Sequence, residues 1–387
     1  MRKNGVNREL SKIEGGLCAP FGFKANGVYA GFGQNIGQKD LMLITADRPC
    51  PTACVFSKTW TQCGASVTSK NHLKKGLMQA IFVNGGVVNA CREDVALLAE
   101  KACRELALKT GISANETVIA TMGALGYPIK LETFENSIPD LVKGLSATAE
   151  KSKFAAEVVS TNGDLQEFAY SFKLGDIPCK IGGVFTCSGS VFLTTDVAIS
   201  PEMLQKALSA GVKDTLDLLC VGGTSAPHDI ACIMANGRAG NYKISSADTE
   251  YGKFAVILKE VLTEICHRIA SSGRGKAFSC RVLGARSIQS ARMLAKSVVG
   301  AYSVRQGLAE GCVEAEELVY LAVKADHELR CEGIRVVLNG CALFDGGRKF
   351  SLQKEALCAL LERAEPEITI SLGAGNYSAT AIGQLFH

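Results

Sequence analysis

Several features that would classify a chain at once are absent from this sequence of 387 residues. No apolar run reaches the roughly 18 residues that a membrane-spanning helix needs, so we expect no membrane association. The opening residues, MRKNG, are followed by polar residues, so we expect no secretory signal peptide. No C-x-x-C pair occurs, and the closest cysteine spacing is Cys50 to Cys54, so we expect neither a zinc site nor a disulfide framework.

The sequence also has little excess charge. Lys and Arg together number 42 and Asp and Glu 38, which gives a formal net charge of +4. A nucleic-acid-binding domain usually has clustered Lys and Arg and an isoelectric point above about 9. The one tight basic cluster, KNHLKK at residues 70–75, is more typical of a solvated helix face. We therefore expect no nucleic-acid partner.

Apolar residues and cysteine, in contrast, are plentiful. Hydrophobic residues make up 47% of the chain, the average for globular proteins, so the chain can build a large core. A chain of this length typically forms two domains or one domain with two lobes. Sixteen cysteines lie singly, several of them inside apolar stretches where a free thiol acts as a small hydrophobe (Cys103, Cys220, Cys266 and Cys358). This usage predicts a reduced, cytoplasmic protein with buried thiols.

Strand-like and helix-like segments alternate, which predicts a mixed α/β fold. Short β-branched runs bounded by turn residues lie at residues 41–45, 81–84, 118–120, 191–195, 335–338 and 368–372. Apolar residues at helical spacing from Val95 to Leu106, followed by Gly111, predict a helix that stops at the glycine. Ser200 and Pro201 predict a helix start, with two further helices at 254–271 and 287–299.

Nine motifs in order carry a resemblance over nearly the whole chain. They lie at residues 15–25, 40–56, 82–91, 123–128, 181–183, 194–200, 235–237, 284–287 and 378–381. Together they resemble the ornithine acetyltransferases of arginine biosynthesis, also called glutamate N-acetyltransferases. One such motif is a weak signal, but nine in the right order predict the fold of that family.

The resemblance implies a two-lobed α/β fold of the N-terminal-nucleophile type and no metal or organic cofactor. The family precursor cuts itself before a Thr in the middle of the chain, and that Thr becomes a new N-terminus and the acyl-transfer nucleophile. A hydroxyl is a weak nucleophile until a base removes its proton. The freed α-amino group, with a pKa of about 7.7–8, is a suitable base on the same residue. An oxyanion hole then stabilises the tetrahedral intermediate.

The chain departs from the family at the cleavage site. The stretch GGVFTCSGSVFLTTD, residues 182–196, is several residues shorter than the family pattern. Counting back from its TTD end places Ser188 on the nucleophilic Thr and Cys187 before the cut, and Gly189 would let the backbone bend. Counting forward from its GG start leaves no nucleophile. Cys187 is a third candidate, as a thiol, although no His is near it in sequence. The sequence leaves these alternatives open.

The oxyanion hole has changed as well. Where the family has Ser-Thr-Gly, this chain has Thr121, Met122 and Gly123. We expect the Gly123 N–H to donate to the oxyanion, and Thr121 to supply the hydroxyl from one position earlier. The nearby segment NGG, residues 84–86, either presents further backbone N–H groups or forms a tight turn.

Substrate contacts differ too. The family's Asp-Gly-Glu-Gly, whose Glu contacts substrate, is here SGRG, so Arg274 inverts the charge and favours a carboxylate or phosphate. Thr161 aligns with the family's substrate-binding Thr. A Trp-containing segment, two acids of a loop and the C-terminal tail are not recognisable. These losses together predict that acetylornithine is not the substrate.

The sequence therefore predicts a divergent acyltransferase or amide hydrolase that acts on an N-acyl amino acid. A cut before Ser188 gives an N-terminal half, 1–187, and a C-terminal half, 188–387, and we expect these to stay together and to assemble further, as a homo-oligomer. The alternative is a catalytically inactive paralogue that acts as a binding or assembly subunit, because the losses cluster at the chemistry.

Overall fold

Strands and helices alternate along the chain, as the sequence pattern predicts. The computed structural model describes residues 10–33, 36–57, 63–88, 90, 95–160, 165–221, 230–273, 275–350 and 353–386. The strands are β1 (Ser11–Lys12), β2 (Phe23–Val28), β3 (Leu41–Phe56), β4 (Leu77–Asn84), β5 (Thr117–Thr121), β6 (Glu167–Leu174), β7 (Ile177–Phe185), β8 (Val191–Thr195), β9 (Leu219–Cys220), β10 (Ile230–Ala235), β11 (Gly275–Ala285), β12 (Arg335–Leu338), β13 (Cys341–Asp345), β14 (Arg348–Lys349), β15 (Glu367–Ser371) and β16 (Tyr377–Phe386). The helices are α1 (Gly64–His72), α2 (Val95–Thr110), α3 (Leu131–Lys143), α4 (Ala149–Val159), α5 (Pro201–Asp214), α6 (Thr249–Ala270), α7 (Ile288–Gly300), α8 (Tyr302–Glu310), α9 (Ala315–Ala325) and α10 (Lys354–Arg363).

The chain forms two compact units. The first comprises the described parts of Met1–Ala210 and Ser225–Glu260, and the second those of Gly211–Thr224 and Val261–His387. These bounds differ from the predicted halves 1–187 and 188–387, because the halves are defined by a chain cut and not by packing. The halves stay a prediction. In the described parts of the chain, no helix is both long enough and apolar enough to cross a bilayer.

A nine-stranded sheet organises the first unit. Its strands run in the order β1-β6-β7-β8-β10-β3-β4-β5, and β2 pairs with the first part of β3. β3 is much longer than the predicted 41–45, since it continues through an irregularity between Thr45 and Cys50 to pair with β10. A bulge lets a strand pass residues such as Pro49 that lack an N–H for the ladder. The turn-like sequence therefore bends the strand and does not end it.

Both faces of this sheet are buried, which explains the continuous apolar runs of its strands. On one face, Leu43, Phe82 and Ile119 pack with the apolar sides of α1, α2 and α3. On the other, the strands pack with α4 in a second cluster that includes Val83 and Val184. The site residues described below lie at or just beyond the ends of strands of this sheet.

The second unit is built on a seven-stranded sheet in the order β14-β13-β12-β15-β11-β16-β9. Helices α7, α8 and α9 supply apolar residues to its main core, and Phe278 and Ile370 come from the strands. Ser287 caps α7 by accepting a hydrogen bond from the Ser290 N–H at 3.1 Å, which confirms the predicted start of that helix.

Most of the predicted buried thiols are buried. Cys103, Cys220 and Cys266 lie in apolar surroundings, whereas Cys358 is half-buried. Burial raises the pKa of Cys50 and of Cys179 to about 12, so at neutral pH these groups are thiols and weak nucleophiles. The described cysteines are free.

His267 gives the second unit a pH-dependent contact. Its Nδ1 lies 3.1 Å from Glu365 Oε1. This hydrogen bond raises the pKa of His267 above its ordinary value, with a smaller contribution from the charge of Glu264 and against the lowering effect of burial. The stabilisation is therefore complete below about pH 6.5 and is lost as the pH rises through the folded-state pKa.

We expect His267→Gln to lower the free energy of unfolding by about 0.5 kcal/mol at pH 6 and by less at pH 8.5, since both side chains are about one-third exposed. Urea unfolding of the variant and the unsubstituted protein at both pH values measures this gap. Glu365→Gln is the reciprocal variant, because it removes the carboxylate that bonds His267. It should also lower the free energy of unfolding by more at pH 6 than at pH 8.5. A gap of the same size at both pH values would contradict the assignment.

Candidate active site

The predicted cleavage site lies in a tight β-hairpin. β7 and β8 pair in antiparallel register up to Phe185 and Val191, so residues 186–190 form the connection. The Thr186 N–H donates to the Ser190 carbonyl at 2.9 Å, and the Gly189 N–H donates to the Thr186 carbonyl at 3.1 Å. Gly189 has φ +101°, a value that glycine adopts without strain. The predicted bend after Ser188 is therefore present.

Ser188 lies at the tip of this turn with its side chain exposed, and Cys187 is half-buried beside it. The Ser188 Oγ is 2.9 Å from the Thr186 Oγ1. Thr186 is itself buried, and its Oγ1 accepts the Ser190 N–H at 2.9 Å. The predicted nucleophile is thus a solvent-accessible hydroxyl held by a buried, anchored neighbour.

The strands that carry the turn are fixed by the TTD motif. The Thr194 Oγ1 donates to the Leu17 carbonyl at 2.8 Å, and the Thr195 Oγ1 donates to the Lys180 carbonyl at 2.7 Å. Asp196 accepts the Lys180 N–H at 2.7 Å, and burial raises the pKa of its carboxyl group. These bonds tie β8 to β7 and to the segment around Leu17, so the end of β8 has a defined position.

The predicted oxyanion residues lie where β4 and β5 end side by side. Asn84 pairs with Thr121, the buried last residue of β5, and the Met122 N–H donates to the Asn84 carbonyl at 2.7 Å. Gly123 follows with φ +110°. A Cβ on Gly123 would overlap the Gly86 carbonyl and lie 2.8 Å from the Gly85 oxygen, so only glycine fits there.

Gly123 is exposed, and its N–H makes no hydrogen bond within the described ranges. A free backbone N–H at a fixed position is what an oxyanion donor requires. The role that the sequence predicts for Gly123 stays a prediction, and this geometry is compatible with it.

The NGG segment forms a tight turn, as one of the two sequence interpretations has it. The Asn84 Oδ1 accepts the Gly86 N–H at 2.8 Å and the Val87 N–H at 3.3 Å. The Gly85 N–H donates to the Asp40 carbonyl at 2.8 Å. The alternative, that these N–H groups are presented to a ligand, is wrong for both glycines, because each N–H already donates a hydrogen bond to an oxygen of the protein.

One apolar cluster joins the hairpin and the oxyanion turn. Met122 lies in the same buried core as Val184 and Phe192, which flank the hairpin connection. The Met122 side chain is therefore a packing group, and the role that the sequence predicts for the Thr121 hydroxyl stays a prediction. No hydrogen bond joins Ser188 to Gly123 in the parts of the chain that the structure describes.

Two predicted residues cannot be placed. Thr161 and Arg274, which the sequence assigns to substrate binding, lie outside the described residues. Conversely, Thr186 matches none of the sequence motifs and was not predicted as a site residue. The only signal for it was a hydroxyl two positions before Ser188 in a short segment between two apolar runs.

Comparison with known proteins gives matches over nearly the whole chain. A family model described as ArgJ family matches residues 24–386. Two curated relatives, both described as arginine biosynthesis bifunctional protein ArgJ, come from Streptococcus thermophilus and Bacillus licheniformis. The first is 28% identical over 97% of this chain and 96% of its own length, and the second is 26% identical over 97% and 94%.

Two solved structures are also similar in part. A structure of the arginine biosynthesis bifunctional protein argJ from Bacillus halodurans is 26% identical, with a TM-score of 0.48, and the match covers 51% of this chain and 93% of that one. A structure of ornithine acetyltransferase complexed with ornithine from Mycobacterium tuberculosis is 20% identical, with a TM-score of 0.39, over 42% of this chain and 88% of that one.

Proposed function

Because the chain belongs to the ArgJ family, we propose that it transfers the acyl group of an N-acyl amino acid through an acyl-enzyme formed on Ser188. This is the family that the sequence motifs predict, so the predicted α/β fold type and acyl transfer of the glutamate N-acetyltransferase kind are confirmed. The alternative of an inactive paralogue is not favoured. The acyl acceptor that we propose is glutamate, in arginine biosynthesis.

The proposed reaction begins with a cut between Cys187 and Ser188. The Ser188 Oγ attacks the Cys187 carbonyl carbon, the C–N bond breaks, and the hydroxyl proton passes to the Ser188 nitrogen. Water then hydrolyses the ester, which releases the Cys187 carboxylate and restores the hydroxyl. The new α-amine lies on the nucleophile's own residue and serves as its base.

Acyl transfer uses the same atoms. The Ser188 Oγ attacks the acyl carbonyl of the donor, the amino group of the donor leaves with a proton, and the acyl group is held as an ester. The α-amine of the acceptor then attacks that ester and regenerates the hydroxyl. The Gly123 N–H is the proposed donor to the oxyanion in both steps, a contact that contributes about 2.7–4 kcal/mol in comparable sites.

The observation that carries this proposal is the family match over residues 24–386, which spans both the hairpin and the oxyanion turn. The exposed hydroxyl of Ser188 and the free N–H of Gly123 support the assignment of roles. Thr161 and Arg274 are the proposed substrate contacts. Arg274 would meet an anionic group, which favours an anionic N-acyl amino acid over acetylornithine as the acyl donor.

Mass spectrometry and a transfer assay test the proposal. Denatured protein should give two fragments of about half of 40.9 kDa each, which elute together under native conditions. Acetyl transfer to glutamate should be faster from N-acetylaspartate than from N-acetylornithine. A preference for N-acetylornithine would refute the Arg274 argument alone, whereas no transfer from either donor would refute the proposed function.

A further inference from the structure

We infer that Thr186 is a positioning residue that holds the Ser188 hydroxyl over the peptide bond to be cut. The inference rests on the proposed function, since it concerns the cut between Cys187 and Ser188. Nothing in the family resemblance or in the comparisons assigns a role to Thr186.

Thr186 is buried and hydrogen-bonded, whereas Ser188 is exposed. The Thr186 N–H donates to the Ser190 carbonyl at 2.9 Å, its Oγ1 accepts the Ser190 N–H at 2.9 Å, and its side chain is buried. An exposed serine otherwise samples three χ1 rotamers. Within the described ranges, the Ser188 side chain makes one hydrogen bond, the contact of 2.9 Å with Thr186. Thr186 therefore selects the rotamer of the nucleophile.

The two residues that this hydrogen bond joins matter for the chemistry. It runs from residue 188 back to residue 186, so the ring that it closes contains the Cys187–Ser188 peptide bond. The contact thereby holds the Ser188 oxygen near residue 186, on the N-terminal side of that peptide bond. Either hydroxyl can be the donor, and both arrangements hold the oxygen in the same place. The attack on Cys187 starts from this rotamer.

The test is the rate of the cut, followed by intact-mass analysis from synthesis onward. Thr186→Val keeps the shape of the side chain and removes its hydroxyl, and we expect a cut at least fivefold slower, because the hydrogen bond to Ser188 is lost. The same variant also loses the bond from the Ser190 N–H, an effect on the turn that a separate stability measurement reports. Thr186→Ser restores the hydroxyl and should cut within twofold of the original rate. Ser190→Ala is the matched control in the same turn, because the Ser190 Oγ is buried and has no partner among the described residues.

A purely structural role of Thr186 is separated by a second measurement. The valine and serine variants are also made in a Ser188→Ala background, where their thermal midpoints report the stability of the turn without any cut. The inference predicts that the cutting rate follows the hydroxyl at position 186 and not the midpoint. Unchanged cutting in Thr186→Val, or cutting in Thr186→Ser as slow as in Thr186→Val, would overturn it while leaving the proposed function intact.

Two other outcomes are also decisive. If the unsubstituted chain is not cut, or is cut at a different bond, both the Ser188 mechanism and the role of Thr186 are wrong. If the cut occurs and depends on Thr186 but no acyl transfer is detected, the inference stands and the proposed function fails.

Discussion

Alanine at position 188 should leave the protein as a single 40.9 kDa chain and reduce acyl transfer by roughly a thousandfold or more. Both effects have one cause, because the Ser188 oxygen forms the bond in the cut and again in the acyl-enzyme. Ser188→Thr retains a hydroxyl at the tip of the same turn and should still be cut. Mass analysis of denatured protein and release of the donor's amino acid measure the two effects separately.

The same experiment decides between Ser188 and the neighbouring thiol. Cys187→Ala should be cut and active, since the half-buried Cys187 contributes only its carbonyl carbon to the proposed step. Ser190→Ala should also be active, because its hydroxyl has no described partner. Loss of activity in Cys187→Ala together with full activity in Ser188→Ala would identify the Cys187 sulfur as the nucleophile. An active, uncut Ser188→Ala protein would show that Ser188 is not the nucleophile.

The sequence predicts the bounds of a strand or helix correctly where neighbouring residues in the chain end that element. The strand at Val191–Thr195 has its predicted bounds, because a run of apolar and β-branched residues lies between Gly-Ser and Asp. The helix that begins at Pro201 was predicted from the pair Ser200 and Pro201, and the Ser200 Oγ accepts the Met203 N–H at 3.3 Å. In both cases the residues that end the element are adjacent to it in sequence.

Sequence patterns do not predict a strand's length or a contact that depends on a segment far away in the chain. β3 extends to Phe56 because β10, which lies far along the chain, supplies a partner for its second part. The contact between Gly123 and Gly86 arises only once β4 and β5 pair. No sequence pattern contains either contact.

The candidate site shows the same division. The positions of Ser188 and Gly123 followed from aligned motifs, and the bend at Gly189 followed from glycine's freedom. The partner of Ser188 was missed because it depends on how tightly the hairpin closes: in a longer connection, Thr186 and Ser188 would not need to approach.

Gly182 supports the hairpin from the middle of β7, and Gly182→Ala should destabilise the first unit by about 4 kcal/mol or more. A Cβ at this position would overlap the Gly16 carbonyl oxygen and lie 2.7 Å from the Gly16 carbonyl carbon. The Gly16 carbonyl is part of the backbone, so it cannot rotate out of the way as the end of a flexible side chain can. The neighbouring Leu17 is also held, since its N–H donates to the Ser152 Oγ at 2.9 Å and its carbonyl accepts from Thr194. The added methyl group therefore has to push apart two anchored segments.

Gly252→Ala is the matched control, because it adds the same methyl group where nothing lies within 4 Å. Gly252 is in α6, so alanine should raise stability by up to about 1 kcal/mol through helix propensity. Urea unfolding of both variants gives the comparison, and the yield of folded protein from parallel cultures serves if Gly182→Ala does not accumulate. A Gly182→Ala protein within 1 kcal/mol of the original would mean that the segment at Gly16 can move away from β7. The position of the hairpin would then not depend on that contact.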